Sequence, residues 1–154
     1  MDFEVQSVEM KNTILHAAIG EVALEASALE CLSELLLDLQ NSEDLADKKL
    51  TLGRTISHLK QEICFSVHES EVLENALAAR NKYTHQLPRI YTGHITKQGS
   101  MRSLIDELIE IKKVIAKATD LVEEYVRARC LVLGTSFDEI SERALVQYES
   151  WTNT

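Results

Sequence analysis

The chain has 154 residues, of which 45% are hydrophobic and 27% are charged, values typical of a soluble globular protein with a sizeable core. One proline, five glycines and 5% aromatic residues are too few for the turns and strands of an all-β fold. The composition therefore favours long helices. A formal net charge of −9 argues against non-specific nucleic-acid binding by the surface as a whole.

The cysteines and the N-terminal segment bear on redox state and location. Cys31, Cys64 and Cys130 are widely spaced without a CxxC pair, so we predict neither a disulfide framework nor a metal site. Cys31 and Cys130 lie within apolar helical patterns, which predicts that both are buried. The first ten residues do not resemble a signal peptide, and no run approaches the ~20 apolar residues of a membrane span. We expect a cytoplasmic protein outside the membrane.

Heptad spacing predicts a long first helix over residues 3 to about 40. Apolar residues recur every seven positions, at Val8, Leu15, Val22, Leu29 and Leu36. The acidic residues between them are predicted to form a solvated face, namely Glu21, Glu25, Glu30, Glu34 and Asp38. The apolar side is long enough to hold a bundle together or to meet a partner helix.

Three further helices are predicted before the last glycine. A shorter one spans residues 45 to 65, and the next begins near 66 to 69 and ends at or before residue 87, because Pro88 follows. We predict that residues 88–100, punctuated by Pro88, Gly93 and Gly99, form the only long loop. A second long helix then runs from Ser100 to about residue 133, where Gly134 is a plausible C-terminal cap.

A last helix is predicted from Ser136, which forms a capping-box pattern with Glu139, to about Trp151. The fold class that follows is all-α: an antiparallel helical bundle of four to five helices, two of them long. We expect the bundle to be a single domain covering residues 1–154, because no linker or repeat divides it.

Residues 80–102 carry no acid, although the chain is acidic. Their basic residues are Arg80, Lys82, Arg89, Lys97 and Arg102. One interpretation is ordinary helix-end chemistry, since cations near a C-terminus complement the helix dipole. The other is a site for an anion, which also accounts for the run continuing past the proline.

The motif R-N-x-x-x-H occupies Arg80, Asn81 and His85. Asn81 and His85 are four residues apart and share a helical face, which the long Arg80 side chain can reach. A histidine can exchange a proton with a ribose 2′-hydroxyl, and a guanidinium can clamp the phosphate. A second R-x4-H pair, Arg89 and His94, lacks the asparagine and follows a proline, so we predict strand contacts at best.

A helical bundle with this motif at the end of an inner helix resembles the HEPN superfamily, many members of which are metal-independent endoribonucleases in toxin–antitoxin, phage-defence and CRISPR systems. The resemblance implies a homodimer whose two motifs face each other in a composite cleft that cleaves RNA by 2′-hydroxyl attack. It implies no metal or other cofactor. The residues implied as catalytic are Arg80, Asn81 and His85.

Six more residues are predicted to contact the RNA strand. Four would steer it by charge, and two tyrosines would stack on bases; the set is Lys82, Tyr83, Arg89, Tyr91, His94 and Lys97.

One departure from the family concerns neutralisation. Members paired with a minimal nucleotidyltransferase antitoxin carry a tyrosine two residues after the histidine, where this chain has Leu87, so another antitoxin or defence-system partner is expected.

A second hypothesis is a non-catalytic helical module that binds nucleotides or RNA, or an adaptor that acts through a partner protein. The apolar side of the first helix is compatible with both hypotheses, because it serves equally as a core or as a docking face. RNA binding without cleavage would favour the module.

Overall fold

A computed structural model describes residues 2–40, 50–86 and 101–152. These ranges contain no strand. A 3-10 turn at Phe3–Val5 precedes five α-helices, which are α1 (Val8–Leu39), α2 (Leu52–Glu62), α3 (Val67–His85), α4 (Met101–Val132) and α5 (Phe137–Thr152). The predicted all-α bundle with two long helices is confirmed.

Helix α4 supplies the centre of the core. It runs for 32 residues, about 48 Å at 1.5 Å per residue, and packs along α1 and α3. Its buried side chains recur every three or four positions, as the sequence predicts for an inner helix. They are Met101, Leu104, Ile105, Leu108, Ile111, Ile115, Ala118, Thr119, Val122, Val126 and Cys130.

Contacts along the bundle fix the relative directions of α1 and α4. Near the middle of both helices, the Lys112 ammonium donates to Glu21 at 2.8 Å. Near their C-terminal ends, the Arg129 Nε donates to the Leu39 carbonyl at 2.9 Å. The two long helices therefore run in the same direction.

Helix α3 runs antiparallel to both long helices. Its first turn meets the later part of α4, where the Tyr125 hydroxyl donates to Glu69 at 3.2 Å. Its last turn meets the earlier part of α4, where Lys82 pairs with Glu107. In chain order α3 comes between α1 and α4. These three helices therefore alternate in direction, as in an antiparallel bundle.

Local sequence signals account for the start of α3. Ser66 and Glu69 form a complete capping box: the Glu69 amide donates to Ser66 Oγ at 3.1 Å, and the Ser66 amide donates to Glu69 Oε2 at 2.7 Å. These bonds satisfy two backbone donors that a helix start otherwise leaves to solvent. The predicted start of this helix is confirmed.

The turn between α4 and α5 also follows its sequence. Gly134 has φ of 75°, a left-handed conformation that strains any residue with a Cβ. The Thr135 amide donates to the Cys130 carbonyl at 3.0 Å and the Gly134 amide to the Leu131 carbonyl at 3.2 Å, which is a Schellman motif. The predicted cap at Gly134 is confirmed.

Two local predictions need correction. Half of the capping box at Ser136 is present: its Oγ accepts from the Glu139 amide, while the Glu139 carboxylate accepts from the Thr135 hydroxyl. Cys31 is exposed, whereas Cys130 is buried as predicted. The apolar side of α1 is narrower than the sequence indicates, and position 31 falls outside it.

Among the helices of the described ranges, none has both the length and the hydropathy that a membrane-spanning helix needs.

Glu69 links the start of α3 to α4 electrostatically. The Ser66 amide, with help from the Ser66 and Tyr125 hydroxyls, holds the pKa of Glu69 below its ordinary 4.5. Burial raises the pKa of Tyr125, and its hydrogen bond to Glu69 raises it further. Both shifts favour the ionised glutamate beside a neutral tyrosine.

We expect Glu69→Gln to reduce the acid dependence of stability. A lowered folded-state pKa stabilises the fold above pH 4.5, and this contribution is lost as the pH falls through the folded-state pKa. The difference in the free energy of unfolding between the wild type and the variant should therefore shrink as the pH is lowered from about 7 to about 3. Urea denaturation followed by circular dichroism measures this, with Glu71→Gln as the matched control; a constant difference at all pH values would contradict it.

Candidate functional site

The R-N-x-x-x-H motif occupies the end of α3. The helix ends at His85, and the Gln86 amide caps it by donating to the Lys82 carbonyl at 3.0 Å. Arg80 is half-buried on the side that faces α1, whereas Asn81 and His85 are exposed. The structure therefore places the motif at a helix terminus, as predicted, with its arginine turned inward.

Arg80 is held by a carboxylate from α1. Its Nη2 donates to Glu30 Oε1 at 2.6 Å and its Nε donates to the same oxygen at 2.9 Å. The two side chains are 26% and 37% exposed, so the pair contributes at most about 1 kcal/mol to stability. Its main consequence is the orientation of the guanidinium.

One edge of the guanidinium is left for another acceptor. Glu30 takes the edge formed by Nε and Nη2, and Nη1 donates to Asn81 Oδ1 at a long 3.5 Å. A guanidinium has five N–H donors, so the edge formed by Nη1 and Nη2 keeps donors for a phosphate or carboxylate. Glu30 and Asn81 thus fix which edge of the Arg80 guanidinium keeps donors for another acceptor.

Arg80 also lines a cleft of about 350 Å³ between α1, α2 and α3. Two carboxylates and the start of α2 form its walls, together with a few apolar side chains. The lining residues are Glu30, Glu34, Leu50, Thr51, Leu52, Thr55 and Arg80. The cleft is therefore mixed in charge, with Arg80 as its cation.

His85 stands apart from the arginine within one chain. It is exposed, and in the described part of the chain no hydrogen bond joins it to Arg80 or Asn81. Asn81, four residues earlier, lies on the same face of α3. The structure brings Arg80 and Asn81 together, and His85 is exposed one turn further along the helix.

Lys82 and Tyr83 fasten the end of α3 to its neighbours. Lys82 pairs with Glu107 of α4. The Tyr83 ring packs against the core, and its hydroxyl donates to the Ile19 carbonyl of α1 at 3.4 Å. The contacts of these two predicted RNA-binding residues thus hold the helix end between α1 and α4.

The other four predicted RNA-binding residues lie outside the described residues. These are Arg89, Tyr91, His94 and Lys97. Arg102 is described and pairs with Asp106 at 3.3 Å. Each described lysine or arginine of residues 80–102 is therefore paired with an acid: Arg80 and Lys82 with acids of other helices, and Arg102 with an acid one turn along its own helix.

Sequence reasoning missed Glu30, which it assigned to a solvated face. Glu30 is 50 residues from Arg80 in the chain, and only the packing of α3 on α1 brings them together. Glu21, also on α1, pairs with Lys112 of α4 in the same way. No local pattern separates these two glutamates from the other acids of α1, so a tertiary contact was needed to identify them.

Among the described residues, no group of three or more histidine, cysteine, aspartate or glutamate side chains is arranged to hold a metal ion. Comparisons of the chain with protein-family profiles, with curated proteins and with solved structures find no match.

Proposed function

We propose that the chain is a metal-independent endoribonuclease of the HEPN type that acts as a homodimer. The observation that carries the proposal is the orientation of Arg80 by Glu30 and Asn81, together with an exposed His85 at the end of the same helix. A fixed guanidinium edge and an open imidazole are the two groups that RNA transesterification needs.

In the proposed reaction His85 removes the proton of a ribose 2′-hydroxyl, and O2′ forms a bond to phosphorus. The P–O5′ bond breaks, and a proton from solvent water neutralises the departing 5′ oxygen, so that one histidine and one arginine make up each site. Arg80 donates to the phosphate oxygens as their negative charge develops. The products are a 2′,3′-cyclic phosphate and a 5′-hydroxyl end.

The separation of Arg80 from His85 within one chain supports a composite site. A second copy facing the end of α3 would set its own His85 against this Arg80. The proposed setting, carried by the resemblance, is a toxin or phage-defence effector restrained by an antitoxin or another defence-system protein.

A second candidate is the non-catalytic RNA-binding or adaptor module. The Arg80–Glu30 pair favours it, because a guanidinium already joined to a carboxylate also serves as a plain link between α1 and α3. The two candidates differ in one result: the module binds RNA, or a partner, without cutting RNA.

We expect purified wild-type protein to cleave total RNA or transfer RNA in EDTA. Arg80→Ala and His85→Ala should each lower the rate by about 100-fold or more, since each removes a group that acts in the transition state. Arg54→Ala and His68→Ala are matched controls away from the end of α3. Intact RNA after incubation with wild-type protein, whose binding is confirmed by gel shift, would favour the module.

Mixing inactive variants tests whether the site is composite. A dimer of one Arg80→Ala copy and one His85→Ala copy keeps Arg80 on one subunit and His85 on the other. We expect the mixture to regain up to about half of the wild-type rate per heterodimer, because one of two composite sites is complete. No recovery, with subunit exchange verified by mass spectrometry, would place both groups in one chain.

We expect Glu30 to act as a positioning residue for Arg80. Glu30→Gln should lower kcat by about tenfold and Glu30→Ala by more, with little change in KM, because the guanidinium loses its orientation rather than its charge. The shape of the pH–rate profile should stay that of the wild type. Glu34→Gln, one turn further along α1 in the same cleft, is the control; equal losses in both variants would indicate a general effect of charge.

A further inference from the structure

The exposed surface of the last turn of α3 is bordered by a cation on either side. At about 100° per residue, His85 lies between Arg80 and Lys82 around the circumference of the helix. Tyr83 lies on the opposite side, packed against the core. Because Lys82 is three residues before His85, the two side chains are neighbours on the helix surface. An RNA strand that reaches His85 therefore also passes the Lys82 ammonium.

An acid from a different helix holds each of these two cations. Glu30 of α1 binds Arg80, and Glu107 of α4 binds Lys82. Glu30 occupies one edge of the guanidinium and leaves donors on a second edge. The ammonium of Lys82 is a compact point charge without a second edge, so Glu107 neutralises it where a phosphate would bind. Glu107 therefore withdraws from the site a charge that RNA binding uses.

The contact between Lys82 and Glu107 is one that RNA can displace. Their side chains are 46% and 31% exposed, and ion pairs with this degree of exposure contribute little to stability. Tyr83 holds the same end of α3 independently, through its packing on the core and its hydrogen bond to the Ile19 carbonyl. The ammonium can therefore change partners while the end of the helix stays in place.

We propose that Glu107 is an autoinhibitory counter-ion of the RNA site. In the free protein it neutralises Lys82, and RNA binding transfers the ammonium from the carboxylate to a backbone phosphate. The affinity for RNA is thereby set below the value that the cations of the site would otherwise give. The inference rests on RNA binding at the end of α3, which the proposed ribonuclease shares with the RNA-binding module, and not on cleavage.

The test measures the affinity of the full chain for a fluorescein-labelled oligouridine of about 12 nucleotides, a length within the site sizes of single-strand binding proteins. The reference chain carries His85→Ala, so that the RNA stays intact while fluorescence anisotropy is recorded. At about 0.1 M salt we expect the further change Glu107→Gln to tighten binding about threefold to fivefold, because Lys82 no longer has to leave a carboxylate.

Lys82→Gln tests the transfer of the ammonium itself. In the reference chain it should weaken binding and reduce the slope of log affinity against log salt concentration by about 0.7, the contribution of one phosphate contact in a single strand. Together with Glu107→Gln it should cancel the gain in affinity. Because Lys82→Gln alone leaves Glu107 in place, it decides whether Lys82 meets the RNA even where Glu107→Gln impairs folding, which circular dichroism monitors for every variant.

Glu123→Gln is the matched control. Glu123 pairs with Arg127 on α4, so this change removes the same charge and also releases a cation. It lies about 24 Å from Glu107 along α4 at 1.5 Å per residue, well beyond the screening length of about 10 Å at this salt concentration. The variant should bind RNA as the reference chain does.

Several results would overturn the proposal. Equal or weaker binding by Glu107→Gln would make the ion pair a plain link between α3 and α4. The same gain in Glu123→Gln, or a gain that persists without Lys82, would indicate a general effect of charge. Absence of RNA binding in all variants would also overturn it. Tighter binding by Glu107→Gln, found together with intact RNA in the presence of the wild-type chain, would support the counter-ion and contradict only the ribonuclease activity.

Discussion

Helix α4 lies along both α1 and α3, and the burial of its apolar side is the constraint on which the other helices depend. Eleven of its side chains are buried, from Met101 to Cys130, so both neighbours must present apolar faces along most of their length. Burial of each large apolar side chain contributes ~1.5–3 kcal/mol to stability, which is more than a single surface ion pair contributes. The polar contacts around it adjust helix ends that the core has already brought together.

The position of Arg80 shows how the packing governs the candidate site. Helix α3 is fixed at its start by Glu69 and Tyr125 and at its end by Lys82 and Tyr83. With both ends held, the guanidinium reaches Glu30 of α1. The same packing turns Asn81 and His85 away from the core. The packing of the core thus turns Arg80 of the motif inward and leaves Asn81 and His85 exposed. For this reason the proposed function needs a second copy of the chain to bring a histidine to the arginine.

The lysines and arginines near the candidate site are paired with acids, both within and between helices. The acid-free segment predicts a basic patch, yet its described cations are joined to Glu30, Glu107 and Asp106. Helix α5 contrasts with this arrangement, since Glu142 and Glu149 form no ion pair among the described residues.

The sequence by itself determined the helices and most of their ends. Apolar residues every three or four positions specify buried faces, and Ser66, Glu69 and Gly134 specify a start and a stop, because these signals act over one helical turn. It also located the motif at the end of α3. Only the tertiary structure decided that α1 and α4 run in the same direction and that Glu30 holds Arg80. Both depend on contacts between residues distant in the chain, and no local pattern encodes which acids of α1 will meet a cation from another helix.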